Sequence, residues 1–294
     1  MNKVVSRLLV FFIGIPLILA IVYLPYCNHL ALHILVCLVS VIASCELYDM
    51  LSKNMALPPK PFIAFLSALI PFVQMLISVI PGLTGGQFSV DLPTCVLIFS
   101  LLAVLVYEVF SAKTFEFSNQ HFSGSFFIII YAGYLITFLQ RLTTATSKEG
   151  ESMAVPLITT LLLMVFLCDS LAWLFGVLFG KNNRGFIKAS PNKSIAGFIG
   201  GLIGSVAAGV LASFVWPDFF GSSRPLVIVT GVLTAFAAII GDLIESICKR
   251  SSGVKDSGSI IPGRGGLLDS IDSILLASPL FYLLTGIFFG PFGA

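Results

Sequence analysis

The 294-residue chain is 57% hydrophobic and only 10% charged, with a mean hydropathy of +1.04 and a formal net charge of +2. A soluble domain carries about 25% charged residues, so the composition excludes an ordinary soluble protein. The small net charge decides nothing alone, because in so apolar a chain the placement of charge matters more than its sum, and nucleic acid is not expected as a partner.

A helix needs about 20 mainly apolar residues to cross a bilayer. Taken in chain order, the apolar runs predict helices over 8–26, 30–50, 62–81, 93–111, 125–140, 155–180, 195–216, 225–247 and 273–290. The expected fold is therefore all-α, a polytopic integral membrane protein of about nine transmembrane helices. Lys3 and Arg7 before an apolar run imitate a secretory signal, but the run is long and no small-x-small site closes it, so a retained first helix is expected. The six cysteines, Cys27, Cys37, Cys45, Cys95, Cys168 and Cys248, show no CxxC or CxxH spacing and read as small packing residues.

With the N-terminus in the cytoplasm, the cytoplasmic segments hold Lys3, Arg7, Lys53, Lys60, Lys113, Lys181, Arg184, Lys188, Lys193, Lys249, Arg250, Lys255 and Arg264. Only Arg141, Lys148 and Arg224 fall outside, as the positive-inside rule requires. Ionisable residues are few inside the predicted helices up to residue 154 and then gather in two loops, 181–194 and 248–272. Residues 1–154 thus read as transmembrane scaffold and lipid contact and 155–294 as the working transmembrane region, its loops cytoplasmic.

The eighth predicted helix ends in "AFAAIIGDLIESICKR", where Asp242, Glu245 and Lys249 share one face with Ser246 and Arg250 beside them. Carboxylates at the end of an apolar helix normally face a partner or a wet cavity. An ordinary intrahelical pair of Glu245 with Lys249 is the bland alternative, and it leaves Asp242 without a reason. The ninth helix opens with "LLDSIDSILL", which puts Asp269 and Asp272 one turn apart, and first-turn capping is the bland account of both. A loop of about 20 residues joins the two helices, so the carboxylates can converge from adjacent helices. All four carboxylates are therefore expected to converge around a cation, and oxygen-only ligands point to a hard ion such as Mg2+.

Lys249, Arg250, Lys255 and Arg264 add positive charge between these carboxylates. The "GRGG" run, Gly263, Arg264, Gly265 and Gly266, allows backbone N–H groups to approach an anion before a helix N-terminus. In the other basic loop, "KNNRGFIKASPNKSIAG", Ser190 and Pro191 make a turn. Ser194 can cap the next helix and Lys193 stands beside it, a phosphate site or a holder of anionic lipid head groups. Asp169 is the one carboxylate deep in a helix and marks function by default. Glu46, Asp49 and Glu108 lie near predicted helix ends that water can reach, and no chemistry is attached to them. His29, His33 and His121 show no ligand spacing and read as structural or interfacial.

The pattern S-x-C-K-R-x4-K-D-x-G-x3-P-G-x-G-G-x-x-D-x-x-D, from Ser246 through Asp272, resembles the C-terminal motif of the phosphatidate cytidylyltransferases, also called CDP-diglyceride synthases. The stretches "DSLAWLFGVLFGK" (169–181) and "SPNKSIAGFIGG" (190–201) are similar to that family's preceding motifs, in the same order. The resemblance covers about residues 155–290. Arg264 stands where the family usually has histidine, Ser270 where it usually has arginine, and Ala196 where a glutamate is common.

The resemblance implies reaction of CTP with phosphatidic acid to give CDP-diacylglycerol and pyrophosphate, with Mg2+ and possible use of two metal ions, at the cytoplasmic face of the inner (plasma) membrane. It implies that Asp242 and Asp269 hold the metal, with Glu245, Asp256 and Asp272 in support. Lys249, Arg250, Lys255 and Arg264 would hold the departing pyrophosphate. Lys193, Ser190 and Ser194 would meet either the lipid phosphate or the nucleotide. Membrane lipids surround the site, and a homodimer fits the family. A CTP-dependent polyprenol kinase and a transporter of an anionic solute are the alternatives. The transporter predicts polar residues spread through several helices and related halves, whereas here the charge sits at one face.

Overall fold

In a bilayer every backbone polar group has to be satisfied within the chain, which an uninterrupted helix does by itself. The computed structural model describes residues 13–80, 91–147, 150–220, 223–261, 263 and 265–290, and among them there is no strand beyond isolated bridges. The helices are α1 (Ile15–Val22), α2 (Leu30–Leu51), α3 (Lys60–Val79), α4 (Leu92–Ser111), α5 (Ser118–Ile128), α6 (Thr137–Arg141), α7 (Ala154–Phe179), α8 (Ile195–Val215), the single turn α9 (Pro217–Phe220), α10 (Arg224–Ser251) and α11 (Leu268–Phe289). A π-helical segment, Ile129–Tyr134, continues α5 towards α6. Pro61 and Pro93 stand in the first turns of α3 and α4, where a missing N–H is harmless.

Among the described residues eight helical segments are long and apolar enough to cross a membrane: α2, α3, α4, the run Ser118–Thr144, α7, α8, α10 and α11. The protein is an all-α integral membrane protein, and each of these eight falls on a predicted run. The predicted helix 8–26 lies partly outside the described residues, which show α1 within it. Large apolar side chains such as Phe65, Phe110 and Ile287 are exposed, as lipid-facing positions require.

The chain forms two compact units, Met1–Arg141 with Cys248–Ser270, and Leu142–Ile247 with Ile271–Ala294. In the first, α2, α3, α4 and the π segment pack around Leu32, Val36, Ile63, Ile70, Ile128 and Ile129. Pro71 inside α3 removes the N–H that would bond the Ser67 carbonyl one turn earlier. Gly133 packs on that carbonyl so closely that a Cβ would stand 2.7 Å from it. The backbone loosened by the π segment also gains outside partners: the Ser40 hydroxyl donates to the Ala132 carbonyl at 2.9 Å.

In the second unit α7 and α8 pack through glycines. A Cβ on Gly197 would stand 2.7 Å from the Ala172 carbonyl oxygen, and one on Gly200 2.6 Å from that of Leu171; Gly204 meets Leu167 in the same way. Small residues at this spacing let membrane helices approach backbone to backbone. Ser205 then ties α8 to α10 by donating to the Gly231 carbonyl at 2.8 Å.

Candidate active site

Gly241 of α10 lies against the Asp272 carbonyl of α11, where any side chain would overlap it. That approach brings Asp272 beside Asp242 and Glu245, one turn apart on α10. One carboxylate oxygen from each lies within 4.8 Å of the others. Glu245 and Asp272 are only 1% and 8% exposed, while the Asp242 side chain is a third open at 33%. Asp272 is oriented by the Ser273 N–H, 2.6 Å from its Oδ1. Lys193 Nζ pairs with Asp242 Oδ2. Asp169 lies on α7 and is exposed.

Lys193 reaches Asp242 because its loop is tightly turned. Its own N–H donates to the Ser190 carbonyl at 3.0 Å. The next residue, Ser194, caps α8 by accepting from Gly197 N–H at 3.0 Å. The expected turn and cap are both present, and the ion pair with Asp242 is what the sequence left unassigned. Three carboxylates this close, two of them buried, repel one another unless protons or a cation lie among them. An oxygen-only donor set with one open member fits a hard divalent cation that keeps some of its waters.

In the first unit Asp269, in the first turn of α11, is held on both oxygens. Its Oδ1 pairs with Lys249 Nζ at 2.6 Å. Its Oδ2 accepts from Ser257 N–H, the Ser257 hydroxyl and Gly266 N–H, each at 2.8 Å. Gly265 has φ +118°, and a Cβ there would stand 2.6 Å from Asp269 Oδ2 and 3.0 Å from Asp256 Cβ. The glycines therefore do bring backbone donors onto an anion, and one such anion is the chain's own Asp269. Arg250, Lys255 and Asp256 are exposed, as is Gly263 at φ +77°. Arg264 lies outside the described residues.

Two carboxylates set aside as water-accessible are buried, which corrects that expectation: Glu46 is 6% exposed and Glu108 3%. Glu108 accepts from the Ser118 hydroxyl at 2.6 Å and meets His121 Nδ1 at 2.7 Å, so it ties the α4–α5 turn together. Asp49 does face water, paired with Lys60 at 2.6 Å. Glu46 instead reaches the signature loop, accepting from Leu267 N–H at 3.0 Å and from Leu268 N–H at 2.8 Å. The signal in the sequence was its place inside a predicted membrane helix, where an ionisable residue is presumed to have work.

The chain matches the sequence profile described as the Cytidylyltransferase family over residues 5–288. It is similar to the protein of Staphylococcus saprophyticus named phosphatidate cytidylyltransferase, 36% identical over 245 residues, which cover 83% of this chain and 86% of that one. The protein of the same name from Staphylococcus aureus is 34% identical over 270 residues, 91% of this chain and 95% of its own. That from Staphylococcus haemolyticus is 35% identical over 212 residues, 72% and 76% of the two chains.

Proposed function

The chain belongs to the cytidylyltransferase family, and on that premise we propose that it transfers the cytidylyl group of CTP to phosphatidic acid. An oxygen of the lipid's phosphate monoester attacks the α-phosphorus of CTP. The bond from that phosphorus to the bridging oxygen breaks, its electron pair leaves with pyrophosphate, and CDP-diacylglycerol is formed. The nucleophile is already anionic, so no strong general base is needed; positioning and neutralisation of charge carry the reaction.

The observation that carries this reading is the group Asp242, Glu245 and Asp272, with Lys193 on its open member. These three would hold Mg2+; Asp269 is proposed as a metal ligand on the resemblance alone. When bound, the ion supplies Lewis-acid neutralisation of phosphate oxygens. Lys193, with Ser190 and Ser194 at the mouth of α8, is proposed to meet a substrate phosphate. Lys249, Arg250, Lys255 and Arg264 are proposed for the pyrophosphate, with Asp256 in support. The distribution of lysine and arginine supports placing these loops on the cytoplasmic face of the plasma membrane. Phosphatidate keeps its acyl chains in the bilayer and its phosphate at the interface, which suits a site at helix ends.

The test is to incubate purified protein in detergent with Mg2+, labelled CTP and phosphatidate, and to follow the label. Labelled CDP-diacylglycerol with stoichiometric pyrophosphate is expected. Release of CDP with a polyprenol acceptor would reassign the protein as a lipid kinase, and absence of lipid-dependent turnover would remove the proposal.

A further inference from the structure

Helix α11 begins at Leu268, preceded by Leu267, and neither side chain can accept a hydrogen bond. The first N–H groups of a helix have no partner within it, and where no Ser, Thr, Asp or Asn precedes them another group has to serve. Here the acceptor comes from α2, more than 200 residues away in sequence. Glu46 Oε1 takes Leu267 N–H, and Oε2 takes Leu268 N–H with the Ser257 hydroxyl at 3.2 Å. A negative charge at this end also suits the helix dipole.

The loop is shaped around that carboxylate. A Cβ on Gly258 would stand 2.8 Å from Glu46 Cδ, and one on Gly266 2.5 Å from Oε2. Neither glycine has a left-handed φ, so space, and not backbone conformation, is what each provides. Ser257 joins Glu46 to the site residue: its hydroxyl lies 3.2 Å from Glu46 Oε2 and 2.8 Å from Asp269 Oδ2, and it accepts from Asp269 N–H at 3.3 Å. A hydroxyl has one proton to give, so the two carboxylates share it.

We propose that Glu46 is a positioning residue for the Asp269–Lys249 pair. It fixes the first turn of α11 and Ser257. Those in turn hold Asp269 Oδ2, so that Oδ1 is directed at Lys249. A residue of the N-terminal helices thereby takes part in the signature loop, and all the contacts involved lie within one compact unit. The catalytic consequence rests on the proposed reaction; the ordering of the loop does not.

The experiment compares wild type, Glu46→Gln, Glu46→Ala, Gly258→Ala and the double variant Glu46→Ala with Gly258→Ala. Glutamine keeps the length and one acceptor oxygen but turns an NH2 towards a backbone N–H, so one amide at the start of α11 loses its partner. Partners that orient site residues typically change activity by about 10- to 100-fold, so kcat per folded protein should fall about 10-fold for Glu46→Gln and about 100-fold for Glu46→Ala, with KM for CTP little changed. Hydrogen exchange should quicken at residues 257–270 and not in α3 or α4. Gly258→Ala alone should impair turnover, yet add nothing to Glu46→Ala, because the atoms it strikes are gone.

Turnover of Glu46→Gln equal to wild type with unchanged exchange at 257–270 would overturn the proposal. So would exchange that quickens equally through α2, α3 and α4, since that is loss of fold. Multiplicative effects of Glu46→Ala and Gly258→Ala count against it as well. If wild type makes no CDP-diacylglycerol, the proposed reaction fails, and the exchange comparison alone decides the role of Glu46.

Discussion

Divalent cation should stabilise this protein, and neutralising one member of the carboxylate group should abolish the effect. Two unit charges 4.8 Å apart repel by about 3.5 kcal/mol at an effective dielectric of about 20. Three such pairs give on the order of 10 kcal/mol if all three groups are ionised. Lys193 offsets little of this: it and Asp242 are 28% and 33% exposed, and solvent-screened pairs contribute about 1 kcal/mol or less. The remainder is relieved by proton uptake or by a cation. A cation at ten times its Kd stabilises the folded state by about 1.4 kcal/mol, and at a hundred times by about 2.7 kcal/mol, a shift of several degrees in unfolding midpoint. The assay is thermal unfolding in detergent, followed by the fluorescence of Trp173 and Trp216, in chelator and across a Mg2+ titration. Asp272→Asn removes two of the three repulsions, so its midpoint in chelator should rise while the Mg2+ shift disappears; Glu245→Gln should behave alike. Equal midpoints for wild type in chelator and in Mg2+, or a full Mg2+ shift in Asp272→Asn, would refute the reasoning.

Asp242→Asn and Asp269→Asn should each lose nearly all turnover while keeping a wild-type elution profile and helical circular dichroism. Near-normal turnover of either across a Mg2+ titration removes that residue from the proposed ligands. Gly204→Ala should lower the thermal midpoint, because its Cβ meets the backbone of Leu167 and Cys168 and not a movable side chain. Overpacking of this kind costs about 1–3 kcal/mol. An unchanged midpoint would show that α7 and α8 can part without loss.

The helices were legible because each membrane crossing is an apolar run closed by polar residues. The run predicted at 30–50 is Leu30–Leu51, and that at 195–216 is Ile195–Val215. The apolar run of α11 begins only at 273, because hydropathy counts Asp269 and Asp272 as breaks, whereas the helix opens at Leu268, as the reading of both aspartates as first-turn residues requires. Capping and side-chain hydrogen bonds let both sit inside the helix. Periodicity put four carboxylates on two helix ends but carried no information about how each would be satisfied. Asp272 joins Asp242 and Glu245; Asp269 is taken up by Lys249, Ser257 and Gly266. Glu46 could be flagged from its place in a membrane helix, but its partners could not: they lie 211 to 222 residues away, and no local pattern encodes a contact of that separation.

The glycine-rich loop also shows why a motif read as a phosphate cradle needs its donors counted. Gly266 N–H is given to Asp269, and Leu267 and Leu268 N–H to Glu46, so these three backbone groups are already engaged with anions of the chain itself. A phosphate could win them only by displacing a carboxylate that the fold has built in. On the proposed reaction, recognition of phosphate by this loop would fall to side-chain cations, the exposed Arg250 and Lys255 and the Lys249 that Asp269 holds. On the same proposal the internal carboxylates would serve that recognition indirectly. A loop already fixed by these contacts would not have to lose that entropy on substrate binding, and the cations would be the groups able to answer to a change of charge on the substrate.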